Sequence, residues 1–345
     1  MLGSLASLGW ITPLVCWCLL SMGCVRQPEN AVVVYSAADR EYAQPILAAF
    51  ARRQAGLEVM PQFDVESTKT VGLVTRIESE SQRPRCDVFW NNEILHTLRL
   101  EQAGLLQPIA WDIPRDWPAQ MRSRNRTWVG IAARARVLLV NRDLLPDPAA
   151  WPTSVDDLAD AKWKGKCGLA LPLYGTTATH LTVMRQRLEA AQASQLFRNM
   201  KANALVLAGN KQVAQAVSSG QLAFGLTDTD DALVEIDAGL PVEIIYPDQQ
   251  PQQAGTLRIP NTIAVIAGAP HPYAAAALAN YLVSEDTEGR LAMGPSGQFP
   301  LRPGHPQPSR AQEDALVRWM EVDFEQAAAT WTEAQAELQQ IFRNE

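Results

Sequence analysis

At 345 residues and 37.9 kDa the chain exceeds one ordinary core and suits two lobes, which implies a cleft between them. Its 47% hydrophobic and 19% charged residues exclude a disordered chain and, over most of the length, a membrane-embedded one. The formal net charge of -7, with no basic stripe long enough to track phosphates, excludes nucleic acid as a partner.

Met1 to Gly23 carry no charged side chain, Ile11 to Leu20 are nearly all apolar, and Ser21-Met22-Gly23-Cys24 follow. Residues 1–23 are read as a lipoprotein signal peptide, with Cys24 the acylated first residue of the mature chain. The n-region lacks Lys and Arg, so an uncleaved N-terminal anchor of marginal length is the alternative. Both readings place the remainder in the periplasm or at the cell surface, tied to a membrane. Cys16 and Cys18 fall in the signal. Cys86 and Cys167 sit beside apolar strand-like residues and are read as buried unpaired thiols, with a disulfide as the alternative. Neither belongs to a CxxC or Cys/His cluster, so zinc and thiol catalysis have no support.

From Asn30 onward the pattern is regular. Ala31 to Tyr35 predict a short buried strand, Asp39 to Gln54 a helix, Leu57 to Met60 a strand, Thr68 to Ser81 a helix, Asp87 to Trp90 a strand and Glu93 to Gln102 a helix. Alternating strands and helices imply a mainly parallel sheet covered on both faces, with ligand groups at the carboxyl ends of the strands. A Pro- and Trp-rich passage from Pro108 to Trp128 breaks the rhythm, and Val137 to Asn141 resume it as a strand. Gly168 to Leu171 predict a strand, then come helices over Thr177 to Ala190, Gln192 to Ala202 and Val213 to Ser219, and a strand over Ala223 to Leu226. Thr256 to Ile266 return as a strand, Pro272 to Val283 as a helix begun by proline, and Ala311 to Phe342 as two helical stretches strapping the lobes. The division that follows is 24–135 for the first part of lobe 1, 136–255 for lobe 2, 256–310 for the return to lobe 1 and 311–345 for the C-terminal helices.

Four polar loops at strand ends are candidates to converge on one cleft. They hold Ser36 and Asp39, then Asn92 and Glu93, then Gly175, Thr176 and Thr177, then Asp228, Asp230 and Asp231. Taken singly, Asp39 and Glu93 also fit helix caps stabilised by the helix dipole, and Gly175 to Thr179 a plain turn or an anion site at a helix start. Asp228-Thr229-Asp230-Asp231 fits a cap less well, because three carboxylates in four residues repel one another unless a cation or donors on a ligand relieve them. Of the four histidines only His180 lies in such a loop, and a helix-surface role suits it.

Val34-Tyr35-Ser36, Ala48-Ala49-Phe50, Asp87-Val88-Phe89-Trp90, Gly104-Leu105-Leu106, Asn210 to Gly220 and Gly225-Leu226, in that order, resemble the bacterial extracellular solute-binding proteins (family 1) of the ferric-ion-binding type, served by ABC transporters. The resemblance spans Ala31 to Leu301. It implies two α/β lobes of the type II periplasmic-binding arrangement, each a mainly parallel sheet flanked by helices, closing on the ligand by a hinge. It also implies a metal site whose slots here hold Asp39, Glu93, Asp230 and Asp231. Only the glutamate matches the family pattern. The two adjacent tyrosines that confer ferric selectivity are replaced by Asp230 and Asp231.

An all-carboxylate set suits a hard cation bound through oxygen, or an organic cation stacked on Trp90 or Tyr174. An anion would be opposed unless Arg134 or Arg136 reached in. The expected function is the substrate-binding lipoprotein of an ABC importer, not an enzyme, acting as a monomer with an ABC permease as partner and a metal ion of iron type or another small cation as transported ligand. The alternatives are an exported metal-dependent hydrolase and a ligand-sensing lipoprotein feeding a receptor. The acidic cluster also predicts weaker binding as pH falls, and an empty protein stabilised when Asp230 and Asp231 both become Asn.

Overall fold

A computed structural model describes residues 30–64, 70–311 and 316–343. The signal reading, with Cys16, Cys18 and Cys24, lies outside the described residues. Among those described, no helix is long and apolar enough to cross a membrane.

The first half alternates as its pattern predicts: β1 (Ala31–Ser36), α1 (Arg40–Arg53), β2 (Glu58–Phe63), α2 (Val71–Ser79), β3 (Val88–Asn91), α3 (Leu95–Gln102) and the two-residue β4 (Leu106–Gln107). All six residues of β1 are buried, as expected of a strand covered on both faces. β5 (Trp128–Asn141) follows the Pro- and Trp-rich passage. The second half holds β6 (Cys167–Ala170), α4 (Gly175–Arg187), α5 (Ala190–Asn203), β7 (Leu205–Leu207), α6 (Asn210–Ser218), β8 (Phe224–Asp228), α7 (Thr229–Asp237) and β9 (Val242–Ile245). β10 (Arg258–Ile266), α8 (Pro272–Leu282), α9 (Glu285–Met293), α10 (Phe324–Ala329) and α11 (Trp331–Arg343) complete the chain.

Strand order is β2-β1-β3-β10-β5-β8-β6-β7, with β4 on β10 and β9 on β5. β1 pairs β2 and β3 in parallel, and β6 pairs β7 and β8 in parallel, so each half keeps a parallel core. β5 links them. Its residues Trp128 to Ala135 lie antiparallel to β10, and Arg136 to Val140 lie antiparallel to β8. The partner changes between Ala135 and Arg136, so one fully buried 14-residue strand runs through both halves.

The C-terminal helices cross the same boundary. Phe324, Ala327, Ala328 and Trp331 pack into the core of the first half, and Leu338 and Phe342 into that of the second. Trp331 meets the His96 ring edge-on at 4.8 Å, and Glu337 accepts from Arg185 at 2.7 Å.

Two elements differ from the sequence reading. β5 begins nine residues earlier than Val137, because the buried arginines Arg134 and Arg136 interrupt the apolar run that marks a strand. Thr229 to Asp237 form a helix where a loop was expected. The strand ends on Asp228 and the helix starts at the next residue, so Asp230 and Asp231 occupy its first turn, where the helix dipole favours carboxylates. Cys86 and Cys167 are buried and unpaired; burial raises both thiols, Cys167 to about 12.

Candidate functional site

The carboxyl ends of β1, β3, β6 and β8 point to the boundary where β5 changes partner. On the second half's side, Arg136 is fully buried on β5 opposite Asp228, the last residue of β8. Arg136 Nη1 donates to Asp228 Oδ1 at 2.6 Å and to Thr176 Oγ1 at 3.1 Å, and Nη2 donates to Thr177 Oγ1 at 3.0 Å. Thr176 Oγ1 and Asn210 Nδ2 donate to Asp228 Oδ2 at 2.6 and 2.9 Å. Gly175 opens α4 with φ +59°, a left-handed backbone that glycine takes at little cost. Burial pushes the Asp228 carboxyl up, but Arg136, Arg134 and the Thr176 hydroxyl outweigh it and hold Asp228 below the usual carboxylate range.

Arg134, two residues earlier on β5 and on the same side, is 3% exposed, and its Nη2 lies 3.4 Å from Asp230 Oδ2. Its Nε and Nη2 make no hydrogen bond to protein atoms. Burial opposes the Arg134 charge, while Asp230, Asp228, Asp39 and Asp231 together more than restore it. Asp39 precedes α1 in the first half, so this cluster is built from both sides of the cleft. Tyr42, one turn into α1, belongs to it. Its phenol is raised by burial, then by Asp230, Asp39 and Asp231. Asp228, Asp230 and Asp231 each offer an oxygen within 4.8 Å of the others.

Glu93 is placed differently. Its Oε1 accepts from the His96 backbone N–H at 3.1 Å and from Asn91 Nδ2 at 3.0 Å, and its Oε2 accepts from the Leu95 N–H at 2.8 Å and from Thr179 Oγ1 at 3.0 Å. It caps α3 and reaches across to α4, with both oxygens engaged by protein donors. Asn92 Oδ1 accepts from Thr70 Oγ1 at 2.9 Å, and Ser36 Oγ turns back to the Ala38 carbonyl at 3.3 Å. Between Asn92, Arg134, Tyr174, Thr176, Asn210 and Asp228 lies a cavity of about 40 Å³.

The structure thus brings Asp39, Gly175, Thr176, Thr177, Asp228, Asp230 and Asp231 to one place, with Asn92 on the wall, while Glu93 and Ser36 spend their polar atoms on neighbouring main and side chains. Trp90 is fully buried within β3 rather than facing a ligand. Both arginines reach in. Each is matched to an aspartate, so four carboxylates face two guanidiniums and the cleft stays formally negative. Tyr42 and Asn210 escaped the sequence reading. Only the i, i+3 spacing of Tyr42 from Asp39 hinted that they share a helix face.

His180, expected on a helix surface, is 1% exposed on α4. Burial first, then the Arg136 charge, lower it to about 3. An unfolded histidine takes up a proton near pH 6.5 and the folded one does not until about pH 3. The stability this neutral ring contributes is therefore complete above pH 6.5 and is lost as pH falls towards 3, by up to ~1.4 kcal/mol per pH unit. His96 acts in the same direction. Urea midpoints measured at pH 7 and pH 5 should fall with acid, and His180→Leu should flatten that dependence; an unchanged slope in the variant would disprove the assignment.

The model described as bacterial extracellular solute-binding protein matches residues 46–318. The chain belongs to this family. Iron uptake protein A2 of Synechocystis sp. is 29% identical over 251 residues, covering 68% of this chain and 70% of that protein. The Fe(3+)-binding periplasmic protein of Serratia marcescens is 26% identical over 223 residues, 64% of each chain. This chain thus spans about two thirds of the length of these relatives. Among solved structures, the ferric binding protein from Campylobacter jejuni superposes with a TM-score of 0.80 at 20% identity, covering 90% of this chain and 99% of that one. The fold of this solute-binding protein is accordingly the two-lobed periplasmic-binding arrangement, and its class is a transport component rather than an enzyme.

Proposed function

We propose that this solute-binding protein captures a hard cation of iron type between its lobes and delivers it to the permease of an ABC importer, acting as a monomer held to a membrane surface through Cys24. The observation that carries the reading is the gathering of Asp228, Asp230 and Asp231 within 4.8 Å, with Asp39 contributed by the opposite lobe. Oxygen donors of this kind suit a hard, highly charged cation. The relatives named for iron are consistent with that cargo.

Size favours an ion over an organic cation. A drug-sized ligand needs roughly 300–1,000 Å³, whereas one water's share of liquid is about 30 Å³. The cavity of about 40 Å³ beside this cluster, lined by Arg134 and Asp228 and not by Asp39, Asp230 or Asp231, is on the second scale. Asp39, Asp230 and Asp231 are the proposed ligands, with Tyr42 offering a phenol beside them. Glu93, the remaining slot of the family pattern, would have to release at least one of its four donors to join. In this reading it latches the closed lobes through Thr179.

The lobe division proposed is 24–135 with 256–310 against 136–255, hinged where β5 changes partner. Native mass spectrometry of protein purified without chelators, with metal analysis of the same sample, should find one cation per chain. A bound organic mass without metal would overturn the cargo. Cys24→Ala should release the protein from the membrane fraction; attachment at unchanged mass would support an uncleaved anchor instead.

A further inference from the structure

A second cavity lies away from the cleft. A groove of about 850 Å³ opens between α3, the Pro- and Trp-rich passage after β4, and the start of α10. Its floor is apolar, with Ile94, Leu98, Val129 and Phe324 contributing. Arg115, Arg122, Arg124 and Arg126 line it as well, against Asp323 and Glu325 as the acidic lining residues among those described. An excess of positive charge in a protein of net charge -7 is local and concave.

Two features indicate a built site. Glu101 on α3 is consumed by neutral donors from the loop and β5. Its Oε1 accepts from Ser123 Oγ at 2.5 Å and Thr127 Oγ1 at 2.6 Å, and its Oε2 accepts from Trp128 Nε1 at 2.9 Å. The loop is thereby fixed while its arginines make no ion pair or side-chain hydrogen bond among the described residues. Arg126 also holds a left-handed backbone, φ +60°, and its carbonyl accepts from Trp111 Nε1 at 2.8 Å and from the Ile109 N–H at 3.1 Å, which pins Trp111 at the groove wall.

We propose that this groove binds an amphiphilic organic anion, its hydrocarbon or aryl body on the apolar floor and its carboxylate or phosphate groups at the arginines. The volume falls within the range of sites for such molecules, about 300–1,000 Å³, and guanidinium forks suit carboxylate and phosphate geometry. The ligand is a free solute rather than a lipid in its bilayer, since a concave groove admits a single molecule and holds it away from a flat surface. The groove shares no lining residue with the cation cleft.

Calorimetric titration of the full chain with dodecyl phosphate below its micellar concentration should give saturable binding at one per chain. Dodecyltrimethylammonium, with the same tail and opposite charge, should bind at least tenfold more weakly. Arg122→Gln together with Arg124→Gln should weaken dodecyl phosphate by about tenfold, the scale of losing charge-assisted hydrogen bonds, while leaving the melting temperature and cation loading unchanged. Equal binding of the cationic amphiphile, undiminished binding by the double variant, absence of saturable binding, or binding only to phosphatidylglycerol vesicles would each overturn the proposal.

Discussion

Asp228→Asn should destabilise the protein by ~3–5 kcal/mol, the cost of breaking a buried ion pair by removing one member. Both partners are almost completely buried and 2.6 Å apart, and both Asp228 oxygens are occupied. Asparagine fits the space but leaves the Arg136 guanidinium without a counter-charge where water cannot reach it. Replacing the pair as a whole, with Asp228→Leu and Arg136→Met, should recover much of the loss, because well-packed apolar groups can substitute for a buried pair. The pH dependence has a definite sign. The folded carboxyl sits below its ordinary value, so the stability it adds is present above about pH 3.8 and disappears as pH drops through the lower folded value. Equilibrium urea unfolding at pH 7 measures all three proteins, and a loss under about 1 kcal/mol in Asp228→Asn would show that the pair is not the keystone of the second lobe.

Asp230→Asn combined with Asp231→Asn should weaken cation binding by roughly a hundredfold or more, since two of the charges facing the cargo vanish at nearly constant shape. Titration with ferric ion supplied from a weak chelate reads this directly. Binding as tight as the parent's would place the cargo elsewhere. The stability of the empty variant is the sharper test, because the sign derived from the sequence is reversed. Three crowded aspartates suggest repulsion that Asn would relieve, yet Asp230 stands 3.4 Å from a buried Arg134. Removing its charge takes from that guanidinium the largest of its carboxylate contributions, so the empty variant should melt lower than the parent, and Asp231→Asn alone, at a half-buried position, should fall much less.

Much of the fold was legible because it is written locally. Ala31 to Tyr35 form an apolar run bounded by turn residues, and α1 and α8 carry apolar residues at helical spacing, so each element declares itself within a window of about ten residues. The polar residues after β1, β3 and β8, and at the start of α4, were recognisable for the same reason. Parallel strands have their carboxyl ends at one edge, and polar loops there converge. β5 was read only in part because burial of Arg134 and Arg136 hides a core strand behind a polar pattern.

The partnerships were decided by tertiary structure alone. Arg136 finds Asp228 92 residues away and Glu93 finds Thr179 86 residues away, separations at which no periodicity carries information. Those contacts set the chemistry of the cleft. They turn a run of repelling aspartates into one in which Asp228 and Asp230 are paired, engage both Glu93 oxygens with protein donors, and bring Tyr42 beside the cluster. The sequence by itself determined that the cleft would be lined with carboxylates. Which of them remain available to a cation depended on where the buried guanidiniums came to rest, because the energy of a charge in a low-dielectric site is set by its neighbours in space rather than along the chain.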